Sequence, residues 1–323
     1  MIVVTNPNVP LLEIVHTLEY TLEMNVLSLF DGISGARLAL DAAGLKVNEY
    51  FTSEVDKSCV QVSRLRFPDQ ISLGDVKDIR KKNLPKIDLL IGGSPCQDLS
   101  NAFKGDGLSG ARSSLFYEYV RLLDELRPKA FLLENVQNRH KTLMDEQIGV
   151  TGVAINSALF SAQSRPRCYW TNIDIPELPM ENKLVIKDIL EKNVDEYFFL
   201  DNRITRLTVK KLNPEPPKRC RGIIKLGDID HKVLRDNERQ RRVYSVKGKS
   251  PTLLARTDTP KILINEKLRK LTPLECERLQ CIPDNFTEGF SISSRYKMVG
   301  NGFTVSVVQH ILSGMQNRSP KNT

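Results

Sequence analysis

The chain has 323 residues, 40% hydrophobic and 27% charged, with 18 glycines and 17 prolines spread along it; this suits one or two globular domains and excludes collagen-like, low-complexity and wholly disordered classes. No run approaches the roughly 20 apolar residues that span a bilayer, and the N-terminus lacks the basic flank of a secretory signal, so a cytoplasmic protein with no membrane partner is expected. The net charge of +8 is concentrated, because residues 201–249 hold 15 basic and 6 acidic residues, a local +9, which reads either as a polyanion-binding surface or as a solvated face.

Residues 10–24 place Leu11, Val15, Leu18 and Leu22 three or four apart, which predicts a short amphipathic helix in an N-terminal extension, residues 1–24. Residues 26–30 form an apolar run of buried-strand type. A helix is expected from Gly35 to the terminating Gly44, then a strand at 50–53, a helix over 56–66, a short strand at 71–73 and a strand at 87–91. Past a Gly-rich loop, Leu115, Tyr119, Leu122, Leu123 and Leu126 repeat at helical spacing up to Pro128, and residues 130–133 are the next strand. Such alternation predicts an α/β fold on a doubly wound, mostly parallel sheet, with ligands beyond the carboxyl ends of the strands. After Trp170 the pattern changes: residues 171–265 are Pro-interrupted, basic and weakly periodic, as in a smaller second domain. Helical order returns at Thr272-Pro273-Leu274-Glu275, a capping box with proline at the first helical position.

The chemistry-bearing residues fall at predicted strand ends. Phe30-Asp31-Gly32-Ile33-Ser34-Gly35 closes the first strand and opens the first helix, where glycines let a ligand approach the backbone. Glu54 ends the second strand, placed to accept from both hydroxyls of a ribose, and Asp75 follows the third, placed for an adenine amino group. Taken together the three suggest a nucleoside cofactor; taken singly each reads equally as a turn glycine or an exposed acid. Cys96, in Gly92-Gly93-Ser94-Pro95-Cys96-Gln97, sits directly after a strand on a Gly/Pro-shaped turn, which aims its thiol into a site as a nucleophile. The other cysteines (Cys59, Cys168, Cys220, Cys276, Cys281) read as small buried hydrophobes. With no C-x-x-C pair among the six, neither a disulfide scaffold nor a metal site is expected. Residues 97–112, with Gly105, Gly107 and Gly110, are suited to closing over a substrate or to forming an ordinary surface loop. Glu134 ends a buried apolar run, where desolvation favours holding a proton near neutral pH. Alternation in Gln163-Ser164-Arg165-Pro166-Arg167 puts Arg165 and Arg167 on one side of a strand, two donors toward one ligand or a surface ion pair.

In this order the motifs resemble those of the cytosine-5 DNA methyltransferases, over residues 25–314. The likeness rests on Phe30-x-Gly32-x-x-Gly35, Glu54, Gly74-Asp75-Val76, Pro95-Cys96-Gln97, Glu134-Asn135-Val136, Gln163-x-Arg165-x-Arg167, the helix over 272–280 and Gly300-Asn301-Gly302-Phe303. The family usually has Ser-Val where this chain has Gly302-Phe303. The resemblance implies a methyltransferase fold that binds S-adenosylmethionine, with residues 25–170 and 266–315 as the catalytic and cofactor domain. Residues 171–265 become a basic target-recognition domain, and 316–323 a tail. It implies that Phe30 stacks on adenine and Glu54 holds the ribose, while Asp75 and Val76 hold the adenine edge. Asp31, Gly32, Ser34, Gly35, Val55, Pro95 and Leu115 complete the pocket, and Asn301 and Phe303 return to it from the C-terminus.

The reaction so implied adds the Cys96 thiolate to carbon 6 of cytosine while Glu134 protonates or hydrogen-bonds ring nitrogen 3. Carbon 5 then becomes nucleophilic enough to take a methyl group, and Arg165 and Arg167 steady the cytosine carbonyl oxygen. The base must leave the duplex, with residues 97–112 closing behind it. Gln97, Ser100, Arg112, Arg241 and Arg242 are the implied contacts to double-stranded DNA. A monomer of bacterial or phage origin is the implied setting, and an enzyme with a restriction endonuclease as counterpart, a stand-alone modification enzyme and a phage protein would share these features. An RNA cytosine-5 methyltransferase would share this chemistry, and a non-catalytic DNA-binding relative would be expected to lose Cys96, Glu134 or the cofactor acids.

Overall fold

The computed structural model describes residues 23–95, 114–137, 140–180, 182–210, 212, 222–235, 238–257 and 259–316. The helix expected over residues 10–24 and the loop at 97–112 fall almost wholly outside them. The apolar runs form a seven-stranded sheet: β1 Met24–Leu29, β2 Val47–Ser53, β3 Ile71–Ser72, β4 Leu89–Gly92, β5 Ala130–Val136, β6 Val153–Asn156 and β7 Pro166–Thr171. Their order is β3-β2-β1-β4-β5-β7-β6. The five strands from β3 to β5 run parallel, and β7 lies antiparallel between β5 and β6.

Both faces of this sheet are covered, and the residues alternate accordingly. Val26, Tyr50, Leu89, Ile91, Ala130 and Leu132 join the core beneath α1 (Gly35–Ala42) and the C-terminal helices. Their neighbours Leu27, Phe51, Leu90, Phe131 and Leu133 join the core on the other face, with Phe116, Tyr119 and Leu122 of α3 (Ser114–Leu126). Between these helices α2 (Lys57–Arg66) begins at Asp56, whose carboxylate accepts from the Ser58 and Cys59 amides, and α4 (Lys141–Ile148) follows β5.

The second sheet has four strands, β8 Lys225–Asp228, β9 Arg242–Ser245, β10 Lys261–Ile264 and β11 Lys267–Lys270, ordered β11-β10-β9-β8. Period two again assigns its faces. Tyr244 and Ile262 pack into the main body, whereas Leu226, Val243 and Leu268 face a separate small core with Leu212, Ile224 and Ile229. The α5 helix (Asn202–Val209) adds Ile204 and Val209 to that small core, and α6 (Glu238–Arg241) leads into β9. The β10–β11 hairpin crosses residues 265 and 266, so the sheet runs past the boundary expected there and closes at Lys270.

The chain then returns to the main body as α7 (Pro273–Leu279), α8 (Ile292–Asn301) and α9 (Val305–Ser313), the last packing on α1. The capping box forms as expected: Thr272 accepts from the Glu275 amide, and Glu275 accepts from the Thr272 amide. Glu275 does more, however. Its oxygens take both ends of the Arg269 guanidinium at 2.6 and 2.7 Å, with Arg269 2% and Glu275 0% exposed. Removing one partner strands a buried charge. Glu275→Ala is therefore expected to lower stability by about 3–5 kcal/mol, read as a shift in the urea unfolding midpoint at unchanged slope. Among the described residues no helix is long and apolar enough to cross a membrane.

Candidate active site

The strand order reverses between β1 and β4, and in open sheets that is where a crevice opens beyond the carboxyl ends. The turn after β1 occupies one lip. Phe30, Gly32 and Ser34 have φ of 55°, 59° and 58°, a left-handed path that exposes backbone N–H groups. Gly32 donates to Glu54 Oε2 at 2.8 Å, and Val55 and Asp56 donate to Glu54 Oε1 at 2.7 and 2.8 Å. A carboxylate has about four acceptor positions, so Glu54 is fixed in orientation with capacity left for a hydroxyl. Beside it Val55 is 69% exposed, an apolar surface awaiting cover. Asp75 accepts from the Lys77 amide at 3.0 Å, and the space above Gly32 and Gly74 is open. Val76 buries its side chain in the core. These ends of β1, β2 and β3 form an open, acid-lined cradle whose donor and acceptor set fits a nucleoside with a ribose.

Two residues expected in that cradle turn inward instead. Asp31 is 5% exposed and accepts from Tyr50 Oη at 2.7 Å and Ser34 Oγ at 2.6 Å. Burial raises its carboxyl above the ordinary range, against the lowering effect of the Ser28, Ser34 and Tyr50 hydroxyls. Asp31 and Ser34 therefore hold the turn from below, Gly35 is buried against Phe303, and the ligand side is left to Phe30 and Gly32.

The other lip is built by β4, β5 and β7. Glu134 and Val136 share a face of β5, and Arg167 of β7 lies opposite Val136, so Arg167 reaches Glu134 diagonally. Its Nε lies 2.9 Å from Glu134 Oε1, with both side chains nearly buried. Glu134 Oε2 points the other way, toward Gly93. Tyr169 is cross-strand from Glu134, and burial, with the Glu134 charge adding to it, pushes its phenol up. On the opposite face of β5, Asn135 donates to Ser94 O at 3.1 Å and Ser94 Oγ at 3.0 Å. That pair clamps the turn leading to Pro95, which is exposed. Cys96, Gln97, Ser100 and Arg112 lie outside the described residues.

The two arginines diverge. Arg165 precedes β7 and is 3% exposed. Its Nη1 donates to Leu253 O and its Nη2 to Gly300 O and Gly302 O, each at 3.1 Å. The expectation that it shares a ligand with Arg167 gives way to a different task, pinning residues 299–304 under the crevice. Gln280, fully buried, pins the same segment by donating to Val299 O and Gly302 O, and its own oxygen accepts from Gln163 and Thr304. Asn301 is thereby left exposed and Phe303 half-buried. Arg165→Lys keeps the charge but loses the fork. It is expected to lose about 1.5–3 kcal/mol of stability and to weaken cofactor binding more than the maximal rate, read by thermal melting and by KM.

Leu115 is half-buried in the first turn of α3 and packs against the β1/β4 face. Arg241 and Arg242 sit apart from these groups: Arg241 donates to Ile229 O at 3.0 Å, and Arg242 pairs with Glu238 at 3.0 Å. Sequence reasoning missed Ser94, Asn135, Gln280 and Thr304 as site-building residues. The one available signal was a polar side chain placed at the end of an apolar run. Among the described residues no group of three or more His, Cys, Asp or Glu is arranged to hold a metal ion.

The family described as C-5 cytosine-specific DNA methylase matches residues 24–151 and 152–317. The Type II methyltransferase M1.ScrFI of Lactococcus lactis subsp. cremoris is 31% identical, over 91% of this chain and 78% of its own length. The Type II methyltransferase M.HhaI of Haemophilus parahaemolyticus is 28% identical, over 89% of this chain and 93% of its own. In fold, the Entamoeba histolytica methyltransferase EhMeth superimposes with a TM-score of 0.69 at 15% identity, covering 91% of this chain and 98% of that one.

Proposed function

The chain belongs to the C-5 cytosine-specific DNA methylase family, and from that premise we propose that Cys96 is its nucleophile and that Glu134 and Arg167 hold the cytosine it attacks. It is a DNA (cytosine-5-)-methyltransferase that uses S-adenosylmethionine. The observation that carries the assignment is the Glu134–Arg167 pair at the end of β5, beside the Asn135-clamped turn that leads within two residues of Ser94 to Cys96.

S-adenosylmethionine, when bound, supplies an electrophilic methyl group. Glu54 would hold its ribose, since three backbone amides already orient that carboxylate. Phe30 and Val55 would cover its adenine, with Asp75 and the Val76 backbone at the adenine edge. The Cys96 thiolate adds to carbon 6 of the extruded cytosine, forming a C–S bond as the 5,6 double bond shifts its electrons toward carbon 5. Glu134 Oε2, carrying a proton, donates or transfers it to ring nitrogen 3 and so offsets the negative charge that addition pushes into the ring, while Arg167 keeps the carboxyl aimed and reaches the carbonyl oxygen. Once carbon 5 carries the methyl group, a base takes its proton. That electron pair re-forms the double bond and expels the thiolate.

Residues 171–265 are proposed as the target-recognition domain. Exposed Arg203, Arg206, Lys225, Lys232, Arg235 and Arg239 support phosphate contacts there. The contacts of Arg241 and Arg242 with Ile229 and Glu238 support a bracing part in that surface. Gln97, Ser100 and Arg112 would close on the duplex behind the flipped base. A monomer acting on cytoplasmic DNA is the proposed working form. The Type II names of its relatives support a restriction endonuclease as counterpart.

Incubating the protein and S-adenosylmethionine with random-sequence duplex DNA in which 5-fluorocytosine replaces cytosine is expected to yield a complex that survives denaturing gels. No such complex from intact protein would refute the assignment of Cys96.

A further inference from the structure

Phe303 stands on the segment held by Arg165 and Gln280, and its ring runs between two glycines. A methyl group placed on Gly35 would lie 3.6 Å from Phe303 Cδ2 and 3.7 Å from its Cβ. One placed on Gly93 would lie 2.9 Å from Phe303 Cε1, 3.4 Å from its Cζ and 3.3 Å from Glu134 Oε2. The base of the ring thus rests on the turn after β1, and its tip rests on the turn after β4, beside the catalytic carboxyl.

The reason for glycine differs between these positions and the cradle above. Gly32 and Gly74 have φ of 59° and 77°, values that call for glycine on conformational grounds. Gly35 and Gly93 are not among the positive-φ glycines. Gly93 could therefore carry a side chain as far as its backbone is concerned, and the obstacle is spatial: it is the Phe303 ring together with the Glu134 carboxyl. The contact is also well supported from behind. Carbonyls on both sides of Asn301, those of Gly300 and Gly302, are held by a buried guanidinium, and the Thr304 hydroxyl is held by Gln280. An aromatic ring on so fixed a mount transmits position rather than yielding.

We propose that Phe303 is a positioning residue for methyl transfer, a wedge that sets the separation between the cofactor turn and the turn leading into Cys96, and that Gly93 lacks a side chain in order to admit it. The proposal rests on the assignment of Cys96 and Glu134 made above. It acts through those groups and requires no contact of the ring with the reacting atoms.

The test is a double-variant cycle of Gly93→Ala, Phe303→Val and the two combined. Four readouts are taken: the rate of covalent capture by the 5-fluorocytosine duplex, kcat and KM, S-adenosylhomocysteine binding by calorimetry, and thermal melting. Gly93→Ala is expected to slow capture by roughly 100-fold, the cost of displacing reacting groups by about 1 Å. Phe303→Val is expected to lower kcat by about tenfold with the KM for DNA nearly unchanged, because a loosened turn costs orientation rather than DNA affinity. The combined variant should capture at least about tenfold faster than Gly93→Ala alone and regain S-adenosylhomocysteine affinity, the coupling expected of touching residues.

A combined variant no faster than Gly93→Ala, or a Phe303→Val enzyme with the wild-type kcat, overturns the wedge. If Gly93→Ala shows no cooperative melt, recovery of one in the combined variant together with the kcat loss in Phe303→Val supports it, and absence of either overturns it. Capture by wild-type protein separates the two claims. Without it the assignment of Cys96 fails, and with it only the wedge is at issue.

Discussion

Cys96→Ala is expected to abolish covalent capture of 5-fluorocytosine DNA and to reduce methyl transfer by at least about 10,000-fold, the scale on which removal of a covalent nucleophile is felt. The argument is electronic. Carbon 5 of cytosine is part of a delocalised ring and attacks an alkyl sulfonium poorly; it gains an available electron pair only when a nucleophile occupies carbon 6. Nothing at Gly93, Ser94 or Pro95 can substitute. Gly93 and Pro95 bring no nucleophile, and the Ser94 hydroxyl is bonded to Asn135 in a buried setting. Duplex binding should survive, because alanine removes no charge from the basic face. Labelled methyl transfer measured beside a gel-shift titration checks both halves, and an alanine variant retaining a tenth of the wild-type rate would rule out the covalent route.

Glu134→Gln should cost roughly 100- to 10,000-fold in kcat, the range of a lost general acid, with cofactor affinity unchanged. The amide keeps the size of the side chain and an oxygen that accepts from Arg167 Nε, now at 2.9 Å from the carboxylate. It cannot hold or release a proton at nitrogen 3. Arg167→Ala should act on the same bond from the other side by freeing the carboxyl to turn. Because the two side chains form one unit, the double variant should be little worse than the weaker single one. Additive losses would show that the pair works as two separate groups.

What could be read from the chain was mostly local. The turn at residues 30–35, the acid at Glu54 and the Thr272 capping box each lie within a few residues of their own strand or helix end, where glycine, proline and hydrophobic period carry the information. Arg165 shows the limit. Period two correctly marked a strand beside it, but its partners Leu253, Gly300 and Gly302 lie 88, 135 and 137 residues away, and no local pattern says which carbonyls the fold will bring there. Asp31 shows another: at a glycine turn an acid reads as ligand-facing, whereas Tyr50, on the neighbouring strand, supplies the hydroxyl that draws it inward. The Asn135–Ser94 clamp was hidden because it joins two strands aligned side by side, a relation fixed by sheet order and register rather than by sequence distance.

The two-faced character of the small sheet bears on any exchange of the proposed recognition domain between enzymes. With Tyr244 and Ile262 rooted in the large body and Val243 and Leu268 rooted in the small core, strands β9 to β11 belong to both halves at once. A transplanted recognition segment that severs the chain at residue 265 would split a hairpin and orphan both cores. One confined to residues 202–241 would leave those three strands in place, but it must bring its own strand to pair with β9 and its own apolar side chains to replace Leu212, Ile224, Leu226 and Ile229.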